Sequence, residues 1–210
     1  MSLAQFFKRE CIRIYGSCNT YYPCPDMFVG VIDTRKNVLR PLIVPFGCLN
    51  NCELSTIGII LESPHKKEFD GNGFPIGPAR GSTGTGIKNY LIPILKKKSI
   101  EGKYKVLLIE SVSYQCSNGE ESIDHAKRNR LFKRIWENGG ESDFIARLKL
   151  YKPYCLINAC SGGKKQIVNK KRSSLNYLVH QSILQNFPNN TLRLFYSDHP
   201  SFWKGSSMLY

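Results

Sequence analysis

The stretch 57–90 constrains the fold more than any other part of the chain. An apolar run (Ile57, Ile59, Ile60, Leu61) ends in Glu62-Ser63-Pro64-His65 and passes into a glycine-rich segment. Beyond Gly86, the residues Ile87, Leu91, Ile94 and Leu95 fall at helical spacing. A short, nearly all-apolar strand that feeds a helix belongs in a parallel sheet covered on both faces. The same alternation continues downstream: a strand at 104–110, helices near 121–137 and 141–150 separated by Gly139-Gly140, a strand at 154–159, a helix at 174–186 and a strand at 192–196. Upstream, 2–15 reads as an amphipathic helix, 16–25 as a loop, and 28–32 with 38–44 as a hairpin turning through Thr34-Arg35-Lys36-Asn37. The expectation is an α/β protein of three layers, α/β/α, around a mostly parallel four-stranded sheet. It forms one domain over 1–210, with 1–56 an elaboration on a core of 57–203.

This order puts Glu62, Ser111, Ser161 and His199 each just past a strand's carboxyl end, so residues distant in sequence share one cleft. That edge of an open α/β sheet is where ligands bind. The partner is suggested by charge. Lys and Arg total 30 against 16 Asp and Glu, a net charge of +14 and a pI near 9.5. Such an excess favours encounter with polyanions, and the basic residues are not gathered on one amphipathic stripe as a membrane-surface helix would need. The sequence shows neither a cleavable apolar leader nor a run of about 18 apolar residues, so no membrane partner is expected. Eight cysteines without a secretory signal point to reduced thiols in a cytoplasm.

Two stretches resemble the uracil-DNA glycosylase superfamily. Glu62-Ser63-Pro64-His65, followed by Glu68, Asp70, Gly71, Pro75, Gly77, Pro78 and Ala79, is similar to its first motif, written in the iron–sulfur branch as GEAPG, an acidic pair and a PFVGPAG-like run. His199-Pro200-Ser201 is similar to the HPS triplet of its second motif. Between them, Leu156-Ile157-Asn158-Ala159-Cys160-Ser161 resembles the strand and turn that precede a phosphate-facing loop, and 106–116 stands where the family has its base-reading strand. The resemblance covers roughly 57–203 and implies a uracil-DNA-glycosylase-like fold. It also implies a monofunctional DNA glycosylase that flips a base out and leaves an abasic site.

Breaking an N-glycosidic bond builds an oxocarbenium-like sugar and an anionic base, which calls for a carboxylate near the sugar and a donor near the base. The resemblance gives Glu62 the first role and His199 the second. Asp70 and Asp198 are alternative acids, and local capping is the competing role for each carboxylate. Ser63, His65, Phe74 and Ser111 are the expected base-binding residues. Arg80, Ser82, Ser161, Lys164, Lys165 and Ser201 are the expected DNA contacts, with Lys170, Lys171 and Arg172 extending the patch. Trp203 stands where the family inserts an apolar wedge, with Phe202 close by; Trp203 equally suits a cover for the core.

Where the best-known branch has Gln-Asp-Pro-Tyr, this chain has Ser63 and His65 at the Asp and Tyr positions, and Ser111 falls near the base-reading asparagine. With those gates changed, a pyrimidine bearing a bulky 5-substituent is the expected substrate. This resembles antiviral glycosylases that act on hypermodified cytosine, such as glucosylated 5-hydroxymethylcytosine in phage DNA. The iron–sulfur branch has four cysteine ligands. Here Cys48, Cys52 and Cys116 find no fourth cysteine in the helix after Cys116, so no cofactor and no metal are expected. The expected protein is a monomer. Three alternatives remain open: a repair glycosylase for uracil or damaged bases, a catalytically silent nucleic-acid binder of the same fold, and an enzyme on free nucleotides that uses loop 80–86 for phosphates.

Overall fold

The computed structural model describes residues 1–18, 20, 22–46, 53–117, 125–161, 174–188, 192–205 and 209. The elements in chain order are α1 (Leu3–Tyr15), β1 (Met27–Asp33), β2 (Val38–Pro45), β3 (Thr56–Leu61), α2 (Ser82–Lys96), β4 (Lys103–Glu110), α3 (His125–Ile135), α4 (Glu141–Tyr151), β5 (Cys155–Asn158), α5 (Leu175–Asn186) and β6 (Arg193–Tyr196). Local chemistry fixes several of their ends. Ser2 and Gln5 form a capping box that opens α1, and Gly16 closes it in the left-handed conformation. A single wide turn, Trp136–Gly140, joins α3 to α4 and bends at Gly139, whose φ of 114° suits glycine.

All six strands belong to one sheet, in the order β2-β1-β4-β3-β5-β6. The strands β4, β3, β5 and β6 run parallel, whereas β1 pairs antiparallel with both β2 and β4. This corrects the four-strand expectation. The hairpin forms, but it is part of the sheet and not a layer packed on it. The unpaired edge of β4 offers backbone donors and acceptors that β1 satisfies from Met27 to Asp33, and Phe28 and Ile32 bury their side chains on opposite faces as they do so.

The three inner parallel strands β4, β3 and β5 are buried almost throughout, which is why these segments read as almost continuous apolar runs, whereas the edge strand β6 is only partly covered. On one face Ile60, Leu107, Ile109 and Leu156 pack under α1, α3, α4 and α5. On the other, Ile57, Ile59, Leu61, Val106, Leu108 and Ile157 pack under α2, with Trp203 and Leu209 of the C-terminal segment. Gly58 sits between the packed strands because a Cβ there would lie 2.6 Å from Leu156 Cδ2 and 2.9 Å from Ile109 Cδ1.

The topology marks one place on the sheet. From β3 the chain crosses to β4 on one side, and it later returns as β5 on the other. Loops leaving β3 and β5 therefore diverge at their carboxyl ends and leave a crevice, the usual ligand position in such sheets. A close contact brings the loop after β6 to the same edge. The turn Pro200–Phe202 lies against the start of α2 so tightly that a Cβ on Gly86 would fall 1.9 Å from the Pro200 carbonyl oxygen.

This contact generates a prediction. Gly86→Ala should raise intrinsic helix propensity in α2 by about 1 kcal/mol, yet overpacking should cost roughly 1–3 kcal/mol and lower the melting temperature. A melting temperature at or above the wild-type value would contradict the packing.

Candidate active site

Glu62 follows β3 directly and is buried. Its Oε1 accepts from Arg128 Nε at 3.0 Å, and its Oε2 accepts from the Ser161 hydroxyl in a short hydrogen bond. Ser161 comes from the loop after β5, so this bond closes the crevice between the two strands at the point where the topology opens it. Burial pushes the Glu62 carboxyl above its ordinary range, and the Arg128 charge and the Ser161 hydroxyl oppose that shift.

His199, on the loop after β6, feels the charge of the same guanidinium. It is pushed down to about 4, first by burial and then by the positive charge of Arg128. Its Nδ1 lies 2.9 Å from Ser201 Oγ and accepts from the Ser201 backbone N–H at 3.4 Å. An imidazole that is neutral at ordinary pH and accepts at Nδ1 carries its proton on Nε2. Arg128 thus pairs directly with the buried acid and acts on the neutral histidine through its charge. It is the residue that the sequence reading missed. The available signal was a cation, within the run Lys127-Arg128-Asn129-Arg130, in the opening turns of a helix, where the helix dipole disfavours positive charge unless an acid is near.

Other residues have structural duties. Trp203 is only 3% exposed, and its Nε1 donates to Ser197 Oγ at 2.7 Å and to the Asp198 carbonyl at 2.8 Å. It pins the His199 loop to the core and is no wedge. Its neighbour Phe202 is 71% exposed and is the apolar side chain that this loop presents to solvent. Ser111 is buried, and its hydroxyl donates to the Leu61 carbonyl at 2.6 Å. It ties β4 to β3 and does not offer its hydroxyl to a base. Asp70 is exposed and caps a turn, accepting at Oδ1 from the backbone N–H of Asn72 and of Phe74, each at 2.9 Å. Asp198 is exposed as well.

The loop after Glu62 is organised by Glu68. This buried carboxylate accepts from the backbone N–H of His65 at 3.1 Å and of Ala79 at 2.6 Å, closing the loop on itself. Ser63 is half-buried, whereas His65 is exposed and its Nδ1 accepts from Lys67 N–H at 3.1 Å. Arg80 is exposed and donates to the Ile76 carbonyl at 3.4 Å, and Ser82 is exposed at the start of α2, where Gly81 supplies no side-chain cap. A further buried acid, Asp26, anchors the helical layer. Asp26 accepts from Arg147 and from the Tyr151 hydroxyl, and Arg147 also donates to the Glu110 carbonyl at 2.9 Å.

Lys164, Lys165, Lys170, Lys171 and Arg172 lie outside the described residues, as do Cys48 and Cys52. Among the described residues, no group of three or more His, Cys, Asp or Glu side chains has the spacing to hold a metal ion, and no helix is long and apolar enough to cross a membrane. Comparison with known proteins adds no relative: no protein-family model, curated protein or solved structure matches the chain.

The Glu62–Arg128 pair predicts a pH-dependent defect. Arg128→Leu leaves a buried carboxylate without its cation, which costs roughly 3–5 kcal/mol when the carboxylate is charged. A carboxyl whose folded-state pKa is raised costs stability progressively as pH climbs from its unfolded value through its folded one. Denaturant titrations should therefore show a deficit that is smallest in acid and grows toward neutral pH. A deficit independent of pH would contradict the pairing.

Proposed function

We propose that the chain is a DNA N-glycosylase of the uracil-DNA glycosylase type that excises a modified pyrimidine and leaves an abasic site. The observation that carries this reading is the buried Glu62–Arg128 pair, closed by Ser161 at the crevice between β3 and β5, with His199 under the influence of the same charge. The chemistry follows from the two groups. As the bond from C1′ to the base nitrogen breaks, its electron pair leaves with the base and positive charge grows on the sugar. A Glu62 carboxylate, oriented by Arg128 and Ser161, offsets that charge and directs water to C1′. His199, neutral and bearing its proton on Nε2, donates to the departing base, and a neutral imidazole does so without adding a charge to a dry site. Exposed Phe202 suits the space left by a flipped nucleotide. Ser82 at the uncapped start of α2 and Arg80 suit phosphates, and the net charge of +14 suits a polyanion.

The bulky 5-substituent remains part of this proposal. By the motif resemblance, His65 replaces the tyrosine that crowds C5 of the pyrimidine, Ser63 replaces the aspartate, and Ser111, near the base-reading asparagine, spends its hydroxyl on Leu61. One observation favours a second reading, a catalytically silent nucleic-acid binder: both oxygens of Glu62 are already engaged. Each oxygen of a carboxylate has a further lone pair, so engagement alone does not bar catalysis.

The decisive experiment incubates the protein with duplexes carrying uracil, 5-hydroxymethylcytosine or its glucosylated form, with mass spectrometry of released bases. Release of a 5-substituted pyrimidine is expected, and Glu62→Gln should slow it by roughly 10²–10⁴-fold while duplex affinity is kept. The acid limb of the rate profile should belong to Glu62 and lie above the ordinary glutamate range, with no limb from His199 between pH 6 and 7. Release of uracil alone would end the modified-base reading. Full activity of Glu62→Gln would end the proposed mechanism.

A further inference from the structure

Resting on that reading, we infer that the stacked pair Tyr22–Phe74 is a platform for unpaired nucleobases, so that the DNA strand beside the excised nucleotide is held single-stranded. The two rings lie 4.5 Å apart at 19° and come from segments far apart in the chain. Each still exposes nearly half its surface, 48% for Phe74 and 44% for Tyr22. Aromatic rings left this open, when stacking could have been used to bury them, provide flat apolar faces.

The Phe74 side of the platform is fixed by a hydrogen-bonded turn. Asp70 N–H donates to the Phe74 carbonyl at 2.9 Å, and Phe74 N–H returns a bond to Asp70 Oδ1 at the same distance. Gly73 N–H donates to the Asp70 carbonyl at 3.1 Å, and Ile76 N–H to the Glu68 carbonyl at 2.8 Å. Phe69 pairs with Pro75 across the same turn. A preorganised aromatic surface loses little entropy when a flat ligand lands on it.

Charge selects the occupant. The loop that carries Phe74 also carries exposed Lys66, Lys67 and Arg80, and the Arg80 guanidinium reaches back to the Ile76 carbonyl, two residues from Phe74. Aromatic faces beside cations, on a chain of net charge +14, match a polynucleotide whose bases stack while its phosphates pair with lysine and arginine. The partner must be unpaired, because bases inside a duplex already cover one another's faces. The same loop begins at Glu62, so the platform belongs to the segment that would handle the flipped nucleotide.

The test measures affinity for a single-stranded oligothymidylate and for an unmodified duplex of equal length, at one fixed salt concentration. Phe74→Ala and Tyr22→Ala should each weaken single-strand binding by roughly 5- to 150-fold and change duplex binding much less. Phe74→Trp should restore the affinity and show fluorescence quenching on oligothymidylate that the wild type lacks. Equal affinity of wild type and both alanine variants for the single strand would overturn the platform, as would an equal loss on both nucleic acids or failure of the wild type to bind the single strand. The outcome is separate from glycosylase activity. A single-strand defect in a protein that releases no base from any duplex keeps the platform and removes the glycosylase reading; base release with no such defect does the reverse.

Discussion

The buried ion pair between Glu62 and Arg128 is the interaction on which the site depends. A carboxylate at the end of an apolar strand loses its hydration, and the low-dielectric surroundings make that loss expensive. Arg128 from α3 offsets the cost from one side and the Ser161 hydroxyl from the other. The pair therefore joins three parts of the chain, β3, the loop after β5 and the helical layer. The same positive charge acts on His199. One guanidinium so offsets the charge of a buried acid and adds to the burial that keeps a histidine neutral. The arrangement is at once a structural clamp and a candidate for bond cleavage, and the geometry of the two roles is the same.

Much of the fold was legible because the inner parallel strands β3, β4 and β5 are buried on both faces. Apolar runs such as Ile57–Leu61 and Val106–Ile109 leave little room for another assignment, and their spacing by helices dictates parallel pairing. The sheet's width was less legible. Sequence shows that 28–32 and 38–44 can pair with each other, but not that β1 also pairs with β4, because the partner of a strand edge is a three-dimensional fact with no local pattern. The antiparallel join at β1–β4 is what widened four strands to six.

The site was legible in its backbone placement and less so in its side chains. Strand-end logic puts Glu62, Ser161 and His199 on one edge; in the structure Ser161 donates to Glu62, Arg128 pairs with Glu62, and His199 feels the charge of Arg128. It could not tell which residue of a motif faces outward. Phe202 and Trp203 are adjacent and chemically alike, yet the hydrogen bonds from Trp203 Nε1 to Ser197 and Asp198 draw one ring inward and leave the other in solvent. Likewise Asp70 and Glu68 are both acids of one loop. The first caps an exposed turn, and the second is buried and gathers backbone N–H groups. Arg128 escaped notice because its importance lies in what it faces.

The central claim is that Arg128 brings Glu62 and His199 into one electrostatic unit. It is tested most directly by following the His199 imidazole through a pH titration by nuclear magnetic resonance, in the wild type and in Arg128→Leu. The account predicts a wild-type midpoint near 4 that moves upward when the guanidinium is removed. A wild-type midpoint near 6.5, unchanged in the variant, would contradict it.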